Sequence, residues 1–255
     1  MKHLATILLS IAALFISTQT SMAHFGMVIP EQPVVTGANR SIKLSLSFAH
    51  PFEKTGMDLE KPSHFYVIKN ETRTNLLNSL QKVTIMDHQG WKTEFTVKRP
   101  GVYRFIMEPA PYWEPTENIS IIHYTKVIVP AFGSEDGWAL PAGLPTEIIP
   151  LLRPFGNYAG NSFVGQVLVN GKASGGAEVE VEFYNQEQKL TAPSDYHITQ
   201  RVKADPNGVF SFTCPQPGWW GFAALSPAGF KLKNPQGEEK GVELGAVLWI
   251  YMSSY

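Results

Sequence analysis

Apolar and polar residues alternate along most of this chain. In residues 41–49, Ile42, Leu44, Leu46 and Phe48 share one parity and Lys43, Ser45 and Ser47 the other. That is the pattern of a strand with one face against a core. Residues 64–68, 82–86, 91–98 and 102–107 predict further short strands, and Pro100-Gly101 supplies a turn between the last two. Residues 119–129 predict a longer strand rich in β-branched side chains. No stretch holds a helical period long enough to predict a helix of more than about three turns.

Between residues 135 and 161 the texture changes. Gly137, Pro141, Gly143, Pro145, Pro150, Pro154, Gly156 and Gly160 interrupt any regular element, so this segment reads as an interdomain linker with a boundary near Phe155. Beyond it, residues 163–169 predict a strand closed by the hairpin signal Asn170-Gly171. Val179, Val181 and Phe183 alternate with Glu178, Glu180 and Glu182, a strand with one acidic, solvated face. Asp205-Pro206-Asn207-Gly208 turns into residues 209–213, Pro217-Gly218 leads to 219–225, and 246–252 form the last strand. The expected fold is all-β. It comprises two β-sandwich domains, an immunoglobulin-like one at 24–155 and a smaller transthyretin-like one at 156–255.

The first 23 residues have the make-up of a removable leader. Met1-Lys2-His3 is a short basic start, residues 4–16 are apolar except for Thr6 and Ser10, and a polar stretch ends in Ser21-Met22-Ala23. Small residues at −3 and −1 form the pattern a signal peptidase reads. The apolar run is shorter than the roughly 18–20 residues that span a bilayer. The expectation is a secretory signal removed after Ala23, a periplasmic protein and no membrane anchor.

That cut changes the chemistry, because it makes His24 the first residue. A terminal amine and the imidazole Nδ1 of the same residue can grip one ion in a six-membered ring, which no internal histidine can do. Removing Lys2 with the leader takes the formal net charge from −1 to −2. A near-neutral balance argues against nucleic acid and anionic membrane as partners. The single cysteine, Cys214, allows no intramolecular disulfide. It shares a parity with Phe210 and Phe212 and reads as a buried thiol.

Phosphate loops, nucleophile elbows and His-Glu-x-x-His zinc motifs are all missing from the sequence, so no enzymatic activity is expected. Histidine is the informative residue type. His50 follows Phe48 on the inward parity of its strand, and His123 shares a parity with Ile119, Ile121, Val127 and Val129. Imidazoles on faces that otherwise read as core are either hydrogen-bonded there or converge on an ion. His64 opens the strand at 64–68 with a parity opposite to Phe65 and Val67, so it points outward or completes the site. His88 and His197 read as surface residues. The rigid run Pro111-Tyr112-Trp113-Glu114-Pro115 carries aromatics that either wall a pocket or pin a long loop.

Two resemblances add to this. Residues 165–171, 177–183 and 205–218 resemble the small β domains of the carboxypeptidase-regulatory and collagen-adhesin B type, which implies a scaffolding or docking role for the second block. Ala23-His24-Phe25-Gly26-Met27-Val28-Ile29-Pro30, Phe48-Ala49-His50-Pro51-Phe52-Glu53, the Pro-Tyr-Trp-Glu-Pro run, Ile122-His123-Tyr124-Thr125-Lys126 and Gly160-Asn161 look like the periplasmic components that accompany energy-coupling-factor nickel and cobalt transporters. This resemblance spans nearly the whole mature chain. It implies capture of Ni2+ or Co2+ and delivery to a membrane transporter, with His24, His50 and His123 inside the matching motifs and His64 outside them. Imidazole ligation suits Cu2+ and Zn2+ as well. Capture should weaken as pH falls through about 6 to 5, where free imidazole takes a proton. Two other classes share these features. One is a copper-dependent polysaccharide monooxygenase built on an N-terminal histidine brace. The other is a structural or adhesive surface protein whose histidines are incidental.

Overall fold

A computed structural model describes residues 24–37 and 39–255; the expected signal peptide, residues 1–23, lies outside them. The first half of the chain forms β1 (Phe25–Pro30), β2 (Ser41–His50), β3 (Thr55–Met57), β4 (His64–Lys69), β5 (Thr72–Asn75), β6 (Gln81–Ile85), β7 (His88–Thr96), β8 (Gly101–Glu108), β9 (Tyr112–Glu114) and β10 (Ile119–Ala131). The rest forms β11 (Thr146–Pro150), β12 (Asn157–Tyr158), β13 (Ser162–Val169), β14 (Lys172–Ala173), β15 (Glu178–Phe183), β16 (Gln200–Lys203), β17 (Val209–Thr213), β18 (Gly218–Pro227), β19 (Leu232–Lys233), β20 (Glu239–Lys240) and β21 (Val242–Ser253). The fold is all-β. Helix among the described residues is confined to two single 3-10 turns, Leu77–Ser79 and Asp195–His197, and no helix there is long and apolar enough to cross a membrane.

The strands build one large central sheet with a smaller sheet on each face. The central sheet runs β16-β15-β18-β21-β10-β8-β4-β5, with β12 added to β21 and β9 to β10. One face packs on the sheet β1-β2-β7-β6, to which β3 is joined through β2. Phe25, Met27, Leu44, Leu46 and Phe48 meet Phe65, Phe105, Val127, Val129 and Trp249 there. The other face packs on the sheet β11-β13-β14, with β17 beside β13. Ile148, Phe163, Val167 and Phe210 meet Ile128, Phe222, Leu248 and Ile250 in that second core. Successive strand residues point to opposite faces. Trp249 therefore enters one core while its neighbours Leu248 and Ile250 enter the other. A strand buried on both sides reads as an unbroken apolar run, as residues 246–250 do.

This layering bears on the boundary expected near Phe155. The C-terminal strand β21 lies parallel to β10 of the first block, with Ser120 opposite Val242 and Val127 opposite Trp249. Each core draws on both halves: Trp219, Ala223, Val247 and Trp249 enter the first, and Val102 and Ile128 the second. Residues from both sides of Phe155 therefore build each core.

Two sequence expectations are corrected. The segment expected to be an interdomain linker contributes β11, which is buried throughout and pairs with β13 from Thr146–Val169 to Pro150–Gly165. Its Glu147 forms a buried ion pair with Lys126, at 3.0 Å, and accepts the backbone N–H groups of Ala142 and Gly143. Proline and glycine crowd the loops on either side of β11, and their density masked a five-residue strand. The acidic face of β15 is the second case. Glu178 is exposed, but Glu180 and Glu182 are buried. Arg201 pairs with Glu180 at 2.8 Å. Glu182 accepts the Phe52 N–H at 3.4 Å and the Thr199 hydroxyl. Period-2 alternation separates the two faces of a strand, but it does not say whether a neighbouring turn covers the polar one.

Candidate metal centre

Strand pairing brings the histidines together. In the antiparallel pair β1–β2, Phe25 stands opposite Ala49 and Gly26 opposite Phe48. Continuing that register by one residue sets His24 against His50. Cross-strand neighbours of this kind lie close enough for side chains to touch. The two imidazole centroids are 4.6 Å apart, and the ring of Phe48 stacks on His24 at 5.6 Å.

His123 approaches from the central sheet. It stands opposite Gly245 in the β10–β21 pair, and its ring is edge-on to Phe48 at 5.7 Å. Two glycines make room for it. A Cβ at Gly245 would lie 2.3 Å from His123 Cδ2, and a Cβ at Gly26 would lie 3.1 Å from His123 Cβ and closer still to Thr125 Oγ1. Strand β1 is held down by Trp249, whose indole N–H donates to the Gly26 carbonyl at 2.8 Å. A buried indole that finds an acceptor in this way fixes both partners.

The protonation pattern follows from the hydrogen bonds. His123 Nδ1 accepts the Gly26 N–H at 3.4 Å, so the neutral ring carries its proton on Nε2. That Nε2 is buried without a hydrogen-bond partner, 3.8 Å from Glu243 Oε1. His24 has its Nε2 3.1 Å from Glu114 Oε2. Burial, then the nearness of His50 and His123, lowers the His24 pKa to about 4, against the smaller upward pull of Glu114. The His24 ring therefore stays unprotonated through the pH 6 to 5 window expected for free imidazole.

Three of the four expected ligands are thus gathered at one end of the first core. His64 is elsewhere: its side chain is 58% exposed at the start of β4, with Nδ1 3.4 Å from Glu108 Oε2. Among the described residues, no three His, Cys, Asp or Glu side chains form a ready metal-holding group. What the fold presents is the pair His24 and His50, with His123 on the other side of the Phe48 ring. His88 lies at the surface near Asp58, and His197 at the surface by Ser194. Cys214 is buried, and burial pushes its thiol pKa up.

Sequence reasoning passed over Glu114. It is buried on β9, which pairs with β10 so that Glu114 faces Ile119 and Tyr112 faces Ile121. The Pro-Tyr-Trp-Glu-Pro run thereby lies along the histidines, and Tyr112 packs 5.0 Å from Phe48 and 6.2 Å from His24. Beneath it is a cavity of about 200 Å³, walled by Phe48, Met107, Tyr112, Trp113, Ile121 and His123. The only sequence signal for Glu114 was a lone acid inside a rigid aromatic run.

Comparison with known proteins adds a family. The model of a domain of unknown function, DUF4198, matches residues 21–228. No curated protein matches the chain. Among solved structures, the D0-D1 domain of intimin is 11% identical with a TM-score of 0.25, over 90% of this chain and 100% of that one. BcpA, the major pilin subunit of Bacillus cereus, is 12% identical with a TM-score of 0.21, over 91% and 68%. A two-domain fibronectin type III segment of chicken tenascin is 12% identical with a TM-score of 0.22, over 89% and 99%. Scores this low carry no inference about what the chain does.

Proposed function

We propose that this chain, a member of the DUF4198 family, captures a divalent transition-metal ion in the periplasm, Ni2+ or Co2+, and hands it to a membrane uptake transporter. The observation that carries the reading is the contact between the His24 and His50 imidazoles, 4.6 Å apart, directly behind a leader cleavage pattern. After cleavage the ion would be held by the His24 amine, His24 Nδ1 and His50. His123 can join if its ring gives up the Gly26 N–H. An amine with neutral imidazoles and no thiolate suits a borderline divalent ion, Cu2+ and Zn2+ included. The residues present fit such cargo.

Calorimetry on the mature protein, beginning at His24, tests this with Ni2+ and Co2+. One site per chain is expected, with affinity lost in His50→Gln. A mature protein that takes up neither ion ends the capture reading.

A second reading, a copper-dependent polysaccharide monooxygenase, shares the amine and two imidazoles. It is favoured by His123 standing back from the pair, which leaves positions on copper open to oxygen. Burial weighs against it. The His24 side chain is 11% exposed, and the Tyr112 ring lies 6.2 Å from it. Oxidised oligosaccharides from the copper-loaded protein with reductant and cellulose or chitin would favour this second reading.

A further inference from the structure

His24 has two ring nitrogens, and only Nδ1 can close a six-membered chelate with the amine of its own residue. The other nitrogen, Nε2, is 3.1 Å from Glu114 Oε2. A carboxylate is an acceptor, so the hydrogen bond places the imidazole proton on Nε2 and leaves the lone pair on Nδ1. Glu114 is itself fixed: it is 7% exposed, its second oxygen accepts the Thr116 N–H at 2.9 Å, and its strand is paired to β10.

We propose that Glu114 is the positioning residue of an N-terminal metal chelate, holding the His24 proton on Nε2 and aiming Nδ1 at the ion. The inference rests on the metal-capture reading and adds a role for the Pro-Tyr-Trp-Glu-Pro run. Carboxylates that accept from the remote nitrogen of a ligating histidine fix its tautomer and raise its basicity. Phe48 and Tyr112 complete the restraint, one stacked on the His24 ring and the other 6.2 Å from it. The ring is thereby oriented before any ion arrives.

Two measurements on the mature chain test this. In the metal-free protein, nitrogen NMR of the His24 ring should find Nε2 protonated and Nδ1 not, with the two forms mixed in Glu114→Ala. A proton on Nδ1 in the wild type would overturn the proposal whether or not metal binds. With Cu2+ as the probe, Glu114→Ala should bind about 10–100-fold more weakly and give an altered electron paramagnetic resonance spectrum. Glu114→Gln, whose single amide oxygen can still accept from Nε2–H while giving up the Thr116 N–H, should recover part of both. Unchanged affinity and spectrum in a folded Glu114→Ala protein would also overturn it. If the wild type binds no Cu2+, Ni2+ or Co2+, the capture reading fails, and the NMR result alone decides whether Glu114 sets the tautomer.

Discussion

The imidazoles of His24 and His50 face each other across the β1–β2 pair, one residue beyond the Phe25–Ala49 register. An antiparallel ladder thus does what a loop of clustered histidines does elsewhere. It sets the distance between the two imidazoles through backbone hydrogen bonds, and it ties His24 to a strand end that Pro51 terminates. Substituting His50 by Gln should leave the fold intact and lower metal affinity on the order of 100-fold, which corresponds to about 2.7 kcal/mol. Calorimetry alongside a thermal melt separates the two effects.

The buried carboxylates of β15 predict an unusual pH dependence of stability. Burial, more than any other cause, raises Glu182 to about 8 and Glu180 to about 7, with Arg201 opposing the shift at Glu180 and Thr199 and the Phe52 N–H opposing it at Glu182. Glu53, Glu117 and Glu243 add to the upward pull. Below the ordinary carboxylate pKa of 4.5, both folded and unfolded chains hold these protons. As pH rises above it, the unfolded chain ionises first, so stability falls until the folded groups ionise near 7 and 8. The slope is up to about 1.4 kcal/mol per pH unit for each group. Urea unfolding at pH 5.5 and 8.5 should give a lower midpoint at the higher pH, and Glu182→Gln should flatten the difference.

The Lys126–Glu147 pair is a structural lock between β10 of the central sheet and β11. Both side chains are almost fully buried, and Glu147 also accepts two backbone N–H groups. Removing one partner of such a pair leaves an uncompensated buried charge, typically worth about 3–5 kcal/mol. Lys126→Met should therefore destabilise the protein by that amount in denaturant titration, without changing metal affinity.

Gly245 is where His123 and β21 meet. Its replacement by Ala would put a methyl group 2.3 Å from the His123 ring, and His123 cannot move without disturbing Gly26 and Phe48. A cost of roughly 1–3 kcal/mol is expected from overpacking, together with a shift in the His123 ring resonances.

Much of the fold was legible in the sequence, and the exceptions have physical causes. Ile42, Leu44, Leu46 and Phe48 announced β2 because they share one buried face while Ser41, Lys43 and Ser45 on the other are at least partly exposed. Strand β15 gave a misleading pattern because its second face is also covered, by the turn at Phe52. His50 and His123 could be singled out as polar residues on apolar faces and His24 by the cleavage pattern before it, but the register that joins His24 and His50 is a long-range property. Glu114 is 90 residues from His24 in the chain, and no periodicity links them.

The proposed chelate includes the amine that cleavage after Ala23 would release. A protein beginning at His24 and one carrying a single additional alanine before it should have the same fold, the same His24–Glu114 hydrogen bond and the same His50. Their Ni2+ affinities, measured side by side by calorimetry, should differ by on the order of 100-fold or more in favour of the free histidine, about 2.7 kcal/mol. Equal affinities would contradict the account, because the ion would then be held without the terminal amine.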